Sequence, residues 1–224
     1  SELVMEQLLS AGFEEASSEE DADVILYNTC SVRAHAENRV YSNVGKLKFL
    51  KKRRPDIVIG IIGCMAKSER NRLFHRLPHL DFAAGPGDFG NLADIITRAS
   101  GNRAQCLAIE DGRFRYDRAV NRSPKPFQAF VSIMRGCDNF CSYCVVPFTR
   151  GREYSRPPAE IVNEAKRLVD SGVLEITLLG QNVNSYGKGL EEKTSLARLL
   201  EKLDSIPGLR RLRLRDGRGH CRRR

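Results

Sequence analysis

The sequence contains no apolar run approaching the ~20 residues that a membrane-spanning helix needs, so we expect a chain that does not cross a membrane. Internal repeats are absent, and no long low-complexity tract precedes the arginine-rich end. The given sequence begins with Ser1 and not with an initiating methionine. An organellar targeting segment upstream of Ser1 therefore stays open.

A strong charge imbalance is missing from most of the chain. The formal net charge is +9, but residues 209–224 hold eight Arg and one Asp, a net of +7, which leaves +2 for residues 1–208. Global charge therefore does not identify RNA as a partner. The seven cysteines are an odd number with three in one loop, which argues against a secreted disulfide framework and favours a reducing, cytoplasmic compartment.

The 224 residues suffice for one or two domains with a buried core. In residues 1–99, strand-like runs alternate with helical stretches, which predicts an α/β domain with a parallel sheet. The predicted strands are 24–27, 57–62 and 80–84, and the predicted helices are 37–54 and a second one that Asp88 would N-cap. Cys30 and Cys64 follow strand ends, where such sheets place their ligand sites.

Residues 100–126 are polar and rich in arginine, which predicts a linker with one short strand near 106–109. Residues 127–213 repeat βα units and suit the first part of a (β/α) partial TIM barrel, whose sites lie at strand C-termini. The predicted strands are 129–134, 174–179 and 209–213. Residues 214–224 show neither strand alternation nor a helical period, so an irregular arginine-rich tail is expected there, with no role for Cys221.

Three cysteines stand at a CxxxCxxC spacing: Cys137, Cys141 and Cys144. Three thiolates from one loop can hold three irons of a four-iron cluster and leave the fourth iron open. A structural zinc site needs four protein ligands, and no Cys or His lies between Val145 and Gly219 to complete one. The spacing therefore favours iron–sulfur chemistry over zinc, and over a chance group of buried or disulfide cysteines.

Four strings of the sequence together resemble the radical S-adenosylmethionine methylthiotransferase family, and in particular its MiaB type, which modifies tRNA. The cysteine string and the segment after it carry most of the resemblance, and two strings near the predicted N-terminal strand ends add to it. The strings are MRGCDNFCSYCVVPFTRGR at 134–152, LLGQNVNSY at 178–186, NTCSVR at 28–33 and GCMA at 63–66.

The resemblance implies that the three loop cysteines ligate a catalytic [4Fe–4S] cluster and that S-adenosylmethionine binds beside it. Reduction of the cluster would cleave a C–S bond of the cofactor, and the resulting radical would abstract a hydrogen. Tyr143 would lie near the adenine, although simple loop packing explains an aromatic residue there equally well. Gly180 and Gln181 would approach the cofactor's methionine amino group, and an ordinary strand-end turn is the alternative. No residue is assigned a catalytic role of its own.

Cys30 and Cys64, each taken alone, are typical of small buried apolar residues. The resemblance instead implies that they ligate a second [4Fe–4S] cluster, which supplies the sulfur, together with a third cysteine that would lie before Ser1. Cys106 does not match that third position and gets no role. The chain as written thus has two of the three ligands.

The implied activity is transfer of a methylthio group to C2 of an N6-isopentenyladenosine beside the tRNA anticodon, with an electron donor as a second partner and the protein acting as a monomer. An unstacked loop base suits such recognition. The alternatives are another tRNA adenosine, a ribosomal protein side chain, or a non-catalytic iron–sulfur or zinc module that binds RNA. Arg150, Arg152 and Arg156 would touch tRNA phosphates or simply form an exposed basic loop. We expect the chain to be a fragment that is inactive alone.

Overall fold

The computed structural model describes residues 2–30, 34–101, 104–109 and 126–216. The described residues form two compact units. The first unit takes the described residues of Leu3–Arg115 and the segment Tyr143–Thr149, and the second takes those of Tyr116–Ser142 and the residues from Arg150 onward. No helix among the described residues is long and apolar enough to cross a membrane.

The first unit is built on a four-stranded parallel sheet in the order β1-β2-β3-β4. The strands are β1 (Val24–Thr29), β2 (Val58–Gly63), β3 (Phe82–Ala84) and β4 (Cys106–Ala108). The helices are α1 (Glu2–Ser10), α2 (Ala34–Arg53), α3 (Cys64–Glu69), α4 (Arg72–Arg76) and α5 (Leu92–Gly101). The predicted parallel α/β architecture is therefore confirmed.

Helices cover both faces of this sheet, which is why β2 is buried along its whole length. Ile59 and Ile61 pack on one face with Val44 of α2, whereas Val58 and Ile62 belong to the core on the other face, with Ile95 of α5. A strand with apolar side chains on both faces is typical of such doubly covered parallel sheets. The two cores hold the carboxyl ends of β1 and β2 in fixed register.

Two details of the first unit differ from the sequence prediction. The short strand expected near 106–109 is present as β4, but it is part of the sheet and pairs with β3, so that Phe82 lies opposite Cys106. Asp88 makes no side-chain cap, since it precedes a 3₁₀ turn at Phe89–Asn91 and α5 begins only at Leu92. Asp88 is itself buried.

The second unit contains a three-stranded parallel sheet in the order β5-β8-β9 and a short antiparallel pair, β6 with β7. Its strands are β5 (Gln128–Ser132), β6 (Met134–Arg135), β7 (Tyr154–Ser155), β8 (Glu175–Gly180) and β9 (Arg211–Asp216). The helices of this part of the chain are α6 (Val146–Arg150), α7 (Pro158–Asp170) and α8 (Leu196–Asp204). Residues Val146–Thr149 of α6 belong to the first unit.

Successive parallel strands joined by helices match the first βα units of a (β/α) barrel, as predicted. The helix α7 begins with Pro158, whose missing N–H is not needed at a first helical turn. It buries Ile161, Ala165 and Leu168 against the same core as Ile176 of β8. Ile176 and Leu178 of β8 belong to this core, and the strand ends at Gly180.

The strand β9 runs further than predicted. Leu214 was assigned to an irregular tail, but it lies opposite Leu178 in the parallel pairing, and the pairing continues to Asp216 opposite Gly180. The alternation of Leu and Arg in RLRLRD accounts for this, because successive side chains of a strand point to opposite faces. The rest of the predicted tail, from 217 onward, lies outside the described residues.

Candidate metal centre and cofactor site

Cys30 and Cys64 lie just beyond the ends of two neighbouring parallel strands. Thr29 is the last residue of β1 and is in register with Gly63, the last residue of β2. The hydroxyl of Thr29 donates a 2.8 Å hydrogen bond to the Ile62 carbonyl, which ties the strand ends together. Gly63 has φ +100°, and a Cβ there would lie 2.5 Å from the Thr29 carbonyl oxygen, so this junction requires glycine.

The two thiols of this pair differ in environment. Cys64 is buried and begins α3, whereas Cys30 is exposed. Among the described residues, no three His, Cys, Asp or Glu side chains are gathered where they would hold a metal ion. The strand-end position of both cysteines therefore agrees with the sequence argument, while their role as cluster ligands stays a prediction.

Backbone contacts hold the start of the cysteine loop, residues 136–144, next to the segment that follows the loop. The pair β6–β7 places Arg135 opposite Tyr154, and the Cys137 N–H donates to the Gly151 carbonyl at 3.2 Å. Gly136 has φ +76°, and a side-chain carbon there would overlap the carbonyl of Arg152. The entry to the loop is thus pressed against the segment that follows it.

Within the loop, Cys137 is buried and Cys141 is half-buried. Between them, Phe140 has φ +45°, a left-handed conformation that a non-glycine residue rarely adopts. Its ring is 49% exposed, and the guanidinium carbon of Arg152 lies 5.3 Å from the ring centroid. A strained, exposed aromatic residue next to a predicted ligand is a feature that functional loops often carry.

Cys144 belongs to the segment Tyr143–Thr149, which groups with the first unit. Cys144 is half-buried, and Tyr143 is 74% exposed. After Cys144 the chain turns into α6, where the Thr149 hydroxyl donates to the Val145 carbonyl at 3.1 Å. Tyr143 thus presents its ring at the surface of this segment.

The strand β8 ends in a turn, residues 181–187, that contains the predicted cofactor residues. Gly180 has a packing reason, because a Cβ there would lie 2.6 Å from Cγ of Met134. The Oε1 atom of Gln181 is buried and has no hydrogen-bond partner among the described residues. Next to it, Asn182 is buried, and its carbonyl accepts the Ser185 hydroxyl at 2.9 Å.

Residues 153–156, here named the strap, hold this turn through three hydrogen bonds that the sequence analysis missed. The Asn182 side-chain amide donates to the Glu153 carboxylate at 2.6 Å. The Gly187 N–H donates to the Ser155 hydroxyl at 3.0 Å, and the Tyr186 hydroxyl donates to the Arg156 carbonyl at 2.8 Å. Burial raises the pKa of Tyr186, so its hydroxyl keeps the proton that this bond needs.

Arg156 was predicted to face tRNA phosphates or solvent, and this prediction is wrong. Its side chain is 6% exposed, and one guanidinium nitrogen lies 2.8 Å from the carboxylate of Glu164, which is 1% exposed. The same guanidinium donates to the carbonyl of Ser132 at 2.6 Å. Arg156 therefore anchors the strap to α7 and to the end of β5. Arg152, in contrast, is 77% exposed, as the basic-loop reading required.

The side chains present suit the groups that the resemblance implies. The six described cysteines are all outside disulfides, and thiolates are the usual ligands of iron–sulfur clusters. The buried, unpartnered oxygen of Gln181 would accept a hydrogen bond from an ammonium group such as that of the cofactor's methionine part. In chain order the cysteine loop follows β5 and the short strand β6, and Gln181 directly follows β8.

Two family models match separate parts of the chain. Residues 1–85 match the model described as "Uncharacterized protein family UPF0004", and residues 131–215 match the "Radical SAM superfamily". One solved structure, the radical S-adenosylmethionine methyltransferase TsrM from Kitasatospora setae, is 12% identical with a TM-score of 0.49 and covers 81% of this chain and 40% of that one. We draw no conclusion from a similarity at this level.

Curated relatives align along nearly the whole chain. Three of them are named "tRNA-2-methylthio-N(6)-dimethylallyladenosine synthase", and each aligns with 95% of this chain. They come from Rhodopirellula baltica (42% identical), Carboxydothermus hydrogenoformans (45%) and Dictyoglomus thermophilum (45%), of whose own lengths the alignments cover 48%, 49% and 48%. The chain thus spans about half the length of the curated relatives it matches. With two domain matches in this order and relatives at 42–45% identity, the chain belongs to the radical S-adenosylmethionine methylthiotransferase family.

Proposed function

We propose that the chain is part of an enzyme that transfers a methylthio group to C2 of N6-isopentenyladenosine beside the tRNA anticodon. One observation supports the cofactor chemistry above the others. The cysteine loop and the Gln181 turn follow strands of one unit, and Glu153 of the strap bonds to Asp138 of the loop and to Asn182 of the turn. Barrel enzymes build their sites from several strand ends of this kind. The substrate comes from the names of the relatives.

In this proposal, the thiolates of Cys137, Cys141 and Cys144 hold a [4Fe–4S] cluster, and Tyr143 and Gln181 hold S-adenosylmethionine. When bound, these groups would supply reductive C–S cleavage and hydrogen abstraction. The chain's own residues bind and orient the cofactor: Gln181 accepts from its ammonium group, and Gly180 leaves room for the packing of Met134 beneath the turn.

The N-terminal pair Cys30 and Cys64 would hold a second [4Fe–4S] cluster together with one further ligand. Their neighbouring strand ends support this, because ligands on adjacent parallel strands converge at one edge of the sheet. Two ligands alone do not hold a cubane, so the second cluster needs a third thiolate from elsewhere.

The partners in this proposal are tRNA, an electron donor for the cluster and no second copy of the chain. Arg152 supplies a positive, exposed group beside the exposed Phe140 ring, and bases and phosphates of single-stranded RNA bind to such aromatic and basic groups. The cysteine thiols, none of them in a disulfide among the described residues, suit the reducing cytoplasm.

The test is an anaerobic assay on isopentenylated tRNA with S-adenosylmethionine and a reductant, followed by mass spectrometry of the nucleosides. The assay is run on this chain and on a version extended to the length of the relatives. A 2-methylthio product from the extended version would support the proposal. A protein that binds zinc, stays colourless and makes no product would contradict it and favour a non-catalytic module.

A further inference from the structure

Glu153 lies between two elements that the proposed function uses separately. Its side-chain carboxylate accepts a 2.6 Å hydrogen bond from the Asn182 amide, at the end of β8. Asn182 is 6% exposed, so this amide would otherwise lie in the interior without a partner. An amide that donates to a carboxylate makes a stronger hydrogen bond than one that donates to a neutral oxygen.

The backbone of the same residue contacts the cysteine loop. The Glu153 N–H donates to Oδ1 of Asp138 at 3.3 Å, and the Arg152 guanidinium lies 3.4 Å from the same oxygen. Asp138 directly follows Cys137, whose own N–H is bonded to Gly151. One residue therefore connects the loop at its first cysteine with the turn after β8.

The contact at Asn182 has a consequence for its neighbour, Gln181. The side-chain oxygen of Gln181 is buried and unpartnered among the described residues. A buried acceptor of this kind is costly to leave unsatisfied and points to a ligand donor. Gln181 directly precedes Asn182, so the bond from Asn182 to Glu153 restrains the turn that carries the Gln181 side chain.

We propose that Glu153 is a positioning residue that fixes Gln181 relative to the cysteine loop, through Asn182 on one side and Asp138 on the other. This inference rests on the proposed function, since it assumes that Gln181 contacts the ammonium group of S-adenosylmethionine. It assigns Glu153 no contact with the cofactor. The role of Glu153 is to keep the two cofactor-binding elements at a constant separation.

The donor and the acceptor of the bond between Asn182 and Glu153 can be exchanged by substitution, which tests the inference. In Asn182→Asp, two carboxylates face each other and the bond is lost. In Glu153→Gln, a neutral amide oxygen can still accept from Asn182. In the double variant Glu153→Gln/Asn182→Asp, the new amide donates to the new carboxylate, so the bond is restored with opposite polarity. Glu201→Ala, an exposed position on α8, is the matched control.

Each variant of the full chain is reconstituted anaerobically with iron and sulfide. Three quantities are measured: iron per chain, the dissociation constant for S-adenosylmethionine by equilibrium dialysis, and the change in the electron paramagnetic resonance spectrum of the reduced cluster when the cofactor is added. We expect equal iron in all variants. Cofactor binding should weaken about tenfold or more in Asn182→Asp, because a bond to a charged group is lost. Glu153→Gln should lose about threefold at most, and the double variant should recover most of the affinity.

The opposite results overturn the inference in distinct ways. Equal cofactor affinity in the unmodified chain and in Asn182→Asp would show that the bond does not position the turn. A double variant as weak as Asn182→Asp would show that the bond itself is not the cause. Loss of iron or of thermal stability in parallel with affinity would reduce Glu153 to a purely structural role. If the unmodified chain binds no iron, the proposed function fails, and this inference falls with it.

Discussion

The guanidinium of Arg156 lies 2.8 Å from the carboxylate of Glu164, and the two side chains are 6% and 1% exposed. The pair joins the residue that follows β7 to α7, and the Arg156 carbonyl also accepts the Tyr186 hydroxyl of the turn after β8. An isolated charge at either position would be far from water. The pair therefore holds together the part of the molecule from which both candidate cofactor elements extend.

We expect Arg156→Met to destabilise the chain by about 3–5 kcal/mol, because it leaves the Glu164 carboxylate buried without its partner. Urea unfolding followed by circular dichroism measures the change. The double variant Arg156→Met/Glu164→Leu should recover much of the loss. As a control, Lys202→Ala removes one partner of the exposed pair with Glu192 and should cost about 1 kcal/mol or less. A loss in Arg156→Met no larger than that of the control would contradict the argument.

The cysteine loop should bind iron through its three thiols. Anaerobic reconstitution should give a brown protein with about four irons for one cluster. The triple variant Cys137→Ala/Cys141→Ala/Cys144→Ala should lose most of that iron, as measured by a colorimetric iron assay and by absorbance near 400 nm. Cys106→Ala is the control and should retain it. Full iron content in the triple variant would refute the assignment of the loop.

The N-terminal pair should not hold a stable cluster in this chain. The reason is that Cys30 and Cys64 supply only two thiolates, whereas the cysteine loop supplies three. Cys30→Ala/Cys64→Ala should therefore leave the iron content at about four per chain. Addition of an N-terminal extension that carries a cysteine should raise it towards about eight, and only when Cys30 and Cys64 are intact. About eight irons in the chain without the extension would disprove this.

Substitutions at Gly136 and Gly151 distinguish the energetic cost of backbone strain from that of a steric clash. Both have positive φ, +76° and +78°, but a Cβ at Gly136 would overlap the Arg152 carbonyl, while at Gly151 it would meet nothing within 4 Å. Gly151→Ala should cost about 1–2 kcal/mol, from the left-handed conformation alone. Gly136→Ala should cost more in urea unfolding and should also lower the iron content, since it moves Cys137. Equal losses for both variants would show that the clash relaxes at no cost.

The sequence predicted the elements of the fold well because their signals are local. The apolar run of β2, the helical period of α2 and Pro158 at the start of α7 each depend on residues within a few positions of one another. A strand was predicted near 106–109 and β4 lies at 106–108, but its pairing with β3 was not predicted, since Phe82 and Cys106 are 24 residues apart and such pairing leaves no local pattern.

In the candidate site too, the local features were predicted and the long-range contacts were not. The cysteine spacing and the position of Gln181 after a strand were visible in the sequence. The strap was not, because its bonds join residues 153–156 to residues 182–187, and nothing near Glu153 indicates Asn182. Arg156 was misjudged for a related reason: its partner Glu164 lies two turns along α7, and charge patterning alone does not distinguish a buried pair from an exposed one.

The strap also limits which changes in chain length this region can accept. The strap makes two sets of contacts. Tyr154 and Ser155 pair as a strand with Arg135 and Met134. Hydrogen bonds from the turn 181–187 are accepted by Glu153, Ser155 and Arg156. Insertion or deletion of a single residue between Gly151 and Arg156 would shift one set of contacts relative to the other and break both. Point substitutions at the exposed positions, such as Tyr154, leave that spacing intact. Natural and engineered variants of this segment should therefore differ in side chains but keep its length.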